Sequence, residues 1–180
     1  MYKRQAFDEE LQGRIKWEQR PNNKGLEFEV IEIDTSFKFK HFDLEVNPFE
    51  VDHYPVEPAF GYQIKFLDTG QEKKVVISGD TRKSENLIEH SLDADALVHE
   101  VFVSLEFDEK RMSKETILNV SDYHTSPKEI GEIANIAKVK KLILTHFVPP
   151  IFDENELIAN IGESYNGQII IGEDLMSIEI

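Results

Sequence analysis

Cysteine is absent from this 180-residue chain. That single absence excludes disulfides, thiolate metal sites and cysteine nucleophiles, and it leaves the redox compartment open. No apolar run approaches the roughly 20 residues needed to span a bilayer. The opening MYKRQAFDEELQGRIKWEQR has basic residues but no apolar stretch behind them, so it does not read as a secretory signal. A cytoplasmic location with no membrane partner is the expectation. Bases are scarce, 20 against 35 acids, for a formal charge of −15. So acidic a surface repels phosphate backbones, and no basic stripe with interleaved aromatics appears. Nucleic acid is therefore not an expected partner of this chain alone. The phosphate-cradling patterns GxGxxG and GxxxxGK are missing too, which argues against a nucleotide-binding domain.

What is present suits one soluble globular domain with a real core. Residues 1–25 are polar and weakly patterned, ending in the loop signal PNNKG. From Leu26 the chain alternates, and LEFEVIEI reads as a half-buried strand whose phase slips at Ile31 and Ile33, as a bulge or two-sided burial would cause. FDLEVNPFEVDH and GYQIKFL continue as strands, with LDTGQEKK as a hairpin connection before VVISGDT. The grammar then changes. SENLIEHSL predicts a helix capped by Ser84, and DALVHEV a short buried strand. Residues from about 106 to 120 are irregular or helical. SPKEIGEIANIAKV opens with Ser126 at the cap, Pro127 in the first turn and Glu129 three residues on, a strong helix-start signature. KLILT predicts a buried strand, DENELIANIGESY a helix capped by Asp153, and GQIIIGEDLMSIEI a final strand pair. An antiparallel front and an alternating back imply an α/β chain with a mixed sheet and helices on one face.

Six histidines stand at positions 41, 53, 90, 99, 124 and 146. Three of them, with Asp80, lie near strand ends or a helix start, where open α/β sheets place ligands. His53 follows PFEVD, Asp80 follows VVISG, His124 precedes a helix N-terminus, and His146 follows KLILT. Imidazole and carboxylate are the natural ligands of hard and borderline divalent metals when no thiolate exists. Each residue also has an ordinary structural reading as a turn, loop or strand-end side chain. Their repeated placement at element ends is what sets them apart. His41 and His90, in charged surroundings, read as solvated.

Five segments, HYPVEPAFGYQI, VVISGDTRKSENLI, ALVHEVF, YHTSPKEIGEIA and LILTHFVPP, come in an order that resembles the second half of the metallo-β-lactamase-fold hydrolases. The nearest resemblance is to the ribonuclease Z and arylsulfatase-like branch. It covers about residue 25 to the C-terminus, including the closing IIIGEDLMSIEI. The fold it implies is the second half of an αββα sandwich. The resemblance further implies two divalent metal ions, with zinc the expected ion. His53 would be a ligand of the first, His146 a ligand of the second, and Asp80 the carboxylate bridging them. His124 resembles the histidine that protonates the leaving group, and Glu100 the acidic residue that orients it. The implied activity is metal-dependent hydrolysis of an ester-type bond, a phosphodiester or a sulfate ester.

One departure limits this. The HxHxDH run that supplies most metal ligands in that family occurs nowhere in the chain. Each metal would keep one histidine and a share of Asp80, against the three protein ligands a catalytic zinc usually has. The expectation is therefore a C-terminal half-domain, residues 26–180 behind a polar segment 1–25. It would be inactive alone, would need an N-terminal half or partner chain, and would leave an apolar sheet face uncovered. A homodimer is compatible with this reading, and a small-molecule ester is the preferred substrate. Two alternatives stand beside it: a non-catalytic half-domain kept as an interaction module, and a ribonuclease Z-type enzyme processing RNA 3′ ends.

Overall fold

Alternating apolar and polar residues after Ser36 build four consecutive antiparallel strands. They are β1 (Phe39–His41), β2 (Leu44–Val51), β3 (Ala59–Asp68) and β4 (Gln71–Ile77). The structure is a computed structural model that describes residues 13, 16–17, 31–103 and 112–180. The chain divides into two compact units, Met1–Ile33 and Asp34–Ile180, and these strands belong to the second. The strand expected from Leu26 lies largely outside the described residues, and Ile31–Ile33 carry no strand.

The β3–β4 connection is tighter than the sequence suggested. Both strands run through LDTGQEKK until Asp68 pairs with Gln71. The two residues left over, Thr69 and Gly70, both have positive φ, at 48° and 82°. This is the backbone hand that suits a two-residue hairpin. The short edge strand β1 was not legible in KFKHF.

Beyond β4 the sheet turns parallel. Helix α1 (Glu85–Ser91) leads to β5 (Ala96–Phe102); α2 (Lys114–Asp122) and α3 (Pro127–Ile136) lead to β6 (Lys141–Val148); α4 (Glu154–Gly162) leads to β7 (Gln168–Ile171). The seven strands lie in chain order, with β4–β5, β5–β6 and β6–β7 parallel. The helix starts fall where their caps predicted. Ser84 accepts from the Leu87 N–H, Ser126 and Glu129 form a reciprocal capping box, and Asp153 accepts from Asn155 and Glu156. The expected final strand pair is one strand. Gly172 N–H still donates to Leu144 O, but residues 173–180 form no strand.

The core lies on one face of the sheet. Val76, Leu97 and Leu142 neighbour one another in register and are fully buried, together with Ile130, Ile133, Leu157 and Ile161 from α3 and α4. Gly131 allows α3 to approach α4 closely, since a Cβ there would sit 2.6 Å from the Ile161 carbonyl oxygen. On the opposite face, Tyr62, Ile77, Val98, Ile143 and Ile170 form a continuous apolar row. These side chains are half-buried, and Ile143 is buried, rather than fully open. His90 departs from its expected place in solvent. It is half-buried and stacks on buried Phe49, ring centroids 4.1 Å apart. His41 is exposed as expected. No helix among the described residues is long and apolar enough to cross a membrane.

Candidate functional site

The C-terminal ends of β4, β5 and β6 open onto one region, and the chain leaves each strand there by a different device. At β4, Ser78 N–H still donates to Val98 O, and Gly79 then turns with φ +64°. Any side chain at Gly79 would put its Cβ 2.5 Å from the Phe60 carbonyl oxygen. Only glycine fits both the backbone angle and the space. Asp80, which follows, is thrown clear of the sheet with its side chain 45% exposed.

At β6 the device is a bulge. Glu100 pairs with Thr145 and Val101 with Phe147, so His146 is the extra residue, and it sits at φ +47°. A bulge re-aims a side chain, and here it brings Nε2 of His146 to 3.4 Å from Oδ2 of Asp80.

At β5 the chain delivers Glu100 into the interior. The bland expectation for a strand-end glutamate is solvation, but this carboxylate is 1% exposed. Its Oε1 accepts the Thr125 N–H at 2.9 Å and lies 3.4 Å from the Thr81 N–H. Its Oε2 lies 3.1 Å from Nδ1 of His124, which is also buried. The approach is close without meeting the alignment of a good hydrogen bond, and among the described residues neither atom has another partner. Both side chains are shut off from solvent and face one another there. The turn between α2 and α3 fixes His124 in this place: Thr125 O accepts from Phe102 N–H, and Thr125 Oγ1 donates to Thr81 O.

His53 lies beyond β2. Its Nδ1 is 2.8 Å from the Tyr123 carbonyl oxygen, and a carbonyl only accepts, so Nδ1 carries the hydrogen. Nε2 is left with its lone pair, the arrangement of a ligating histidine held from behind. The three imidazoles form a row, with His53 to His124 at 5.2 Å and His124 to His146 at 5.7 Å between centroids. All five residues singled out in the sequence therefore gather in one place.

The donor chemistry suits a zinc-like divalent ion, but the donor number falls short. Among the described residues no three His, Asp or Glu side chains converge on one point suited to a metal. Asp80 and His146 supply two adjacent donors, and the His53 ring neighbours that of His124. A catalytic zinc usually needs three.

His99 is the histidine whose place the sequence did not reveal. It is fully buried, with Nδ1 2.6 Å from Glu100 O and Nε2 without a partner among the described residues. Burial pushes its pKa below the ordinary histidine value, against the pull of the neighbouring Glu100 carboxylate and carbonyl. It stays neutral and secures the backbone beside the bulge. Its only sequence signal was a histidine inside a strand that is apolar apart from the adjacent Glu100.

Known proteins resemble this chain in both sequence and fold. The chain is 33% identical over 134 residues to ribonuclease Z of Mycobacterium bovis, a match covering 72% of this chain and 45% of that one. To ribonuclease Z of a Mycobacterium species, strain KMS, it is 31% identical over 155 residues, 84% of this chain and 52% of the relative. The chain thus spans about half the length of the curated relatives it matches. Among solved structures, the metallo-beta-lactamase fold protein YhfI from Bacillus subtilis superposes with a TM-score of 0.59 at 22% identity, covering 79% of this chain and 52% of that one. That likeness speaks for the fold. The family model described as Beta-lactamase superfamily domain matches residues 2–147. With that match over most of its length and ribonuclease Z homologues alongside, the chain belongs to the metallo-β-lactamase superfamily.

Proposed function

We propose that this chain carries the proton-donating pair and part of the metal-holding set of a metal-dependent phosphodiester hydrolase. The observation behind this reading is the buried Glu100–His124 pair standing 5.7 Å, ring to ring, from the Asp80–His146 pair. A degenerate interaction module would have no need to bury a carboxylate and hold it against an imidazole, because burying an unpaired charge is expensive.

The chain's own residues have separable tasks. Thr125 N–H and Thr81 N–H hold Glu100, and Glu100 faces Nδ1 of His124. This contact holds the ring with Nδ1 facing the carboxylate. The other ring nitrogen, Nε2, then gives its proton to the leaving oxygen as the phosphorus–oxygen bond breaks, the task of a general acid. Asp80 and His146 would hold a divalent ion between them. Such an ion would supply a bound water of lowered pKa. The remaining ligands must come from outside the described residues, and we assign them to an HxHxDH-bearing segment. Whether the complete site holds one ion or two depends on that segment.

Phosphodiester is preferred to sulfate ester because the relatives are named ribonuclease Z. That name also supports a second reading, processing of RNA 3′ ends. The charge of −15 weighs against a long polyanion, so a small phosphodiester remains the favoured substrate. The test supplies the chain and zinc with an HxHxDH-bearing segment, and offers bis(p-nitrophenyl) phosphate, p-nitrophenyl sulfate and a transfer-RNA precursor. The expected result is chelator-sensitive hydrolysis of the phosphodiester. Faster turnover of the sulfate, or hydrolysis indifferent to chelator, would overturn the proposal; a strong preference for the RNA would favour the second reading.

A further inference from the structure

We propose that Arg82 is a positioning residue, whose guanidinium locks together the three segments that carry His53, Asp80 and His124. Its importance for chemistry rests on the hydrolase reading; the lock itself does not.

The three segments are residues 52–54, 80–82 and 122–125, and apart from Asp122, the last residue of α2, none belongs to a strand or helix. No sheet ladder holds them against one another. Arg82 does. Its backbone N–H donates to Asp52 O at 2.8 Å. Its Nη1 donates to Asp52 Oδ1 at 2.8 Å, and Nη2 to Tyr54 O at 3.3 Å. These contacts grip His53 from both sides. On the other flank, Nε donates to the Asp122 carbonyl at 2.7 Å, and Nη2 lies 3.4 Å from Asp122 Oδ2. Asp122 ends α2, so a cation here also meets the negative end of a helix dipole. The next two residues are Tyr123, whose carbonyl holds the His53 ring, and His124 itself. Thr81 closes the circuit: its Oγ1 lies 3.2 Å from Asp52 O, and its carbonyl accepts from Thr125 Oγ1 at 2.6 Å.

The ordinary alternative is a surface ion pair of little consequence. Asp122 is 84% exposed in its side chain and Asp52 49%, so the ion pairs alone would contribute little. The two main-chain carbonyls make the difference. Nε and Nη2 reach carbonyls on different segments at once, which requires a planar fork with several donors in fixed directions. A lysine ammonium keeps the charge but cannot span both. The adjacent Lys83 gives an internal contrast: among the described residues it makes one ion pair, with Glu132 at 2.6 Å, and bridges no candidate segment.

The experiment compares the full chain with Arg82→Gln, Arg82→Lys and Lys83→Gln by amide hydrogen exchange and by nitrogen NMR of the histidine rings. In the unsubstituted chain the residue-82 amide should be protected and His53 should show a fixed Nδ1–H tautomer. Both Arg82 variants should lose about tenfold or more of the protection at residue 82, with His53 shifting toward the tautomer mixture of free imidazole. The Leu97 and Leu142 amides of the sheet should exchange as before, since local openings need not reach the core. Lys83→Gln should change none of these. The proposal is overturned if Arg82→Lys behaves like the parent, if the core amides lose protection by the same factor, or if the parent itself shows neither signal. None of these readouts requires turnover. A chain that passes them yet never hydrolyses a phosphodiester would contradict the hydrolase reading alone.

Discussion

Nδ1 of His124 stands 3.1 Å from Oε2 of Glu100, and both side chains are shut away from solvent. A solvated loop histidine would be free to turn; this one faces a carboxylate anchored from behind by Thr125 N–H. Glu100→Gln keeps an oxygen for that N–H but removes the charge. With zinc and an HxHxDH-bearing segment supplied, turnover should fall roughly 10- to 100-fold, the scale known for partners that orient metal-ligating histidines, with metal content unchanged. Parallel rate and metal assays check this, and loss of metal with the charge would contradict it.

Gly79 and Gly70 make a matched pair. Both have positive φ, but a Cβ at Gly70 meets nothing within 4 Å, whereas one at Gly79 would collide with the Phe60 carbonyl at 2.5 Å. Gly70→Ala should therefore cost about 1 kcal/mol of backbone strain alone. Gly79→Ala should cost more, about 2–4 kcal/mol, because the backbone that aims Asp80 must also shift. Denaturant titration of the two variants gives the comparison. Equal losses would mean that the strand tip is loose enough to absorb the collision.

His99 should make stability depend on pH. Its folded pKa lies below its unfolded value, with desolvation as the leading cause. The unfolded chain therefore binds a proton first as pH falls, and stability declines below the unfolded pKa of about 6.5. The decline continues until the folded pKa is reached, with a slope of at most about 1.4 kcal/mol per pH unit from this one group. His99→Asn retains a donor for the Glu100 carbonyl and should flatten that part of the profile. An unchanged slope between pH 7 and 5 would assign the dependence to another group.

Metal binding should follow donor number. With only Asp80 and His146 adjacent, the chain by itself should not retain two zinc ions through gel filtration in mild chelator. Adding an HxHxDH-bearing segment should raise retention, and Asp80→Asn or His146→Ala should lower it again. Stoichiometric retention of two ions by the chain alone would reveal further ligands within it.

Much of this arrangement was legible in sequence because local signals carried it. Serine and aspartate caps marked three helix starts, and alternation marked β2 and β3. The placement of Asp80, His124 and His146 at element ends pointed to one edge of the sheet. What escaped is tertiary. Thr69 at positive φ gave no warning of the tight hairpin. His90 seemed solvated among charges, yet Phe49, 41 residues earlier, covers its ring. In ALVHEVF both faces are buried, so alternation could not tell that His99 and Glu100, on opposite faces, are both buried. Nothing in the sequence singled out Arg82, because its partners lie 28 to 40 residues away.

The most direct test of the account separates the proton donor from the metal holders. With zinc and an HxHxDH-bearing segment supplied, His124→Ala removes no assigned ligand, so metal content should match the parent. Turnover should fall roughly 10²–10⁴-fold, the usual worth of a positioned acid. The loss should be largest for an alkyl phosphodiester and much smaller for an activated aryl one, whose leaving group departs without a proton. Asp80→Asn should instead lose metal and activity together on both substrates. If His124→Ala loses its metal, or loses activity equally on the two esters, His124 is not the proton donor and the central claim fails.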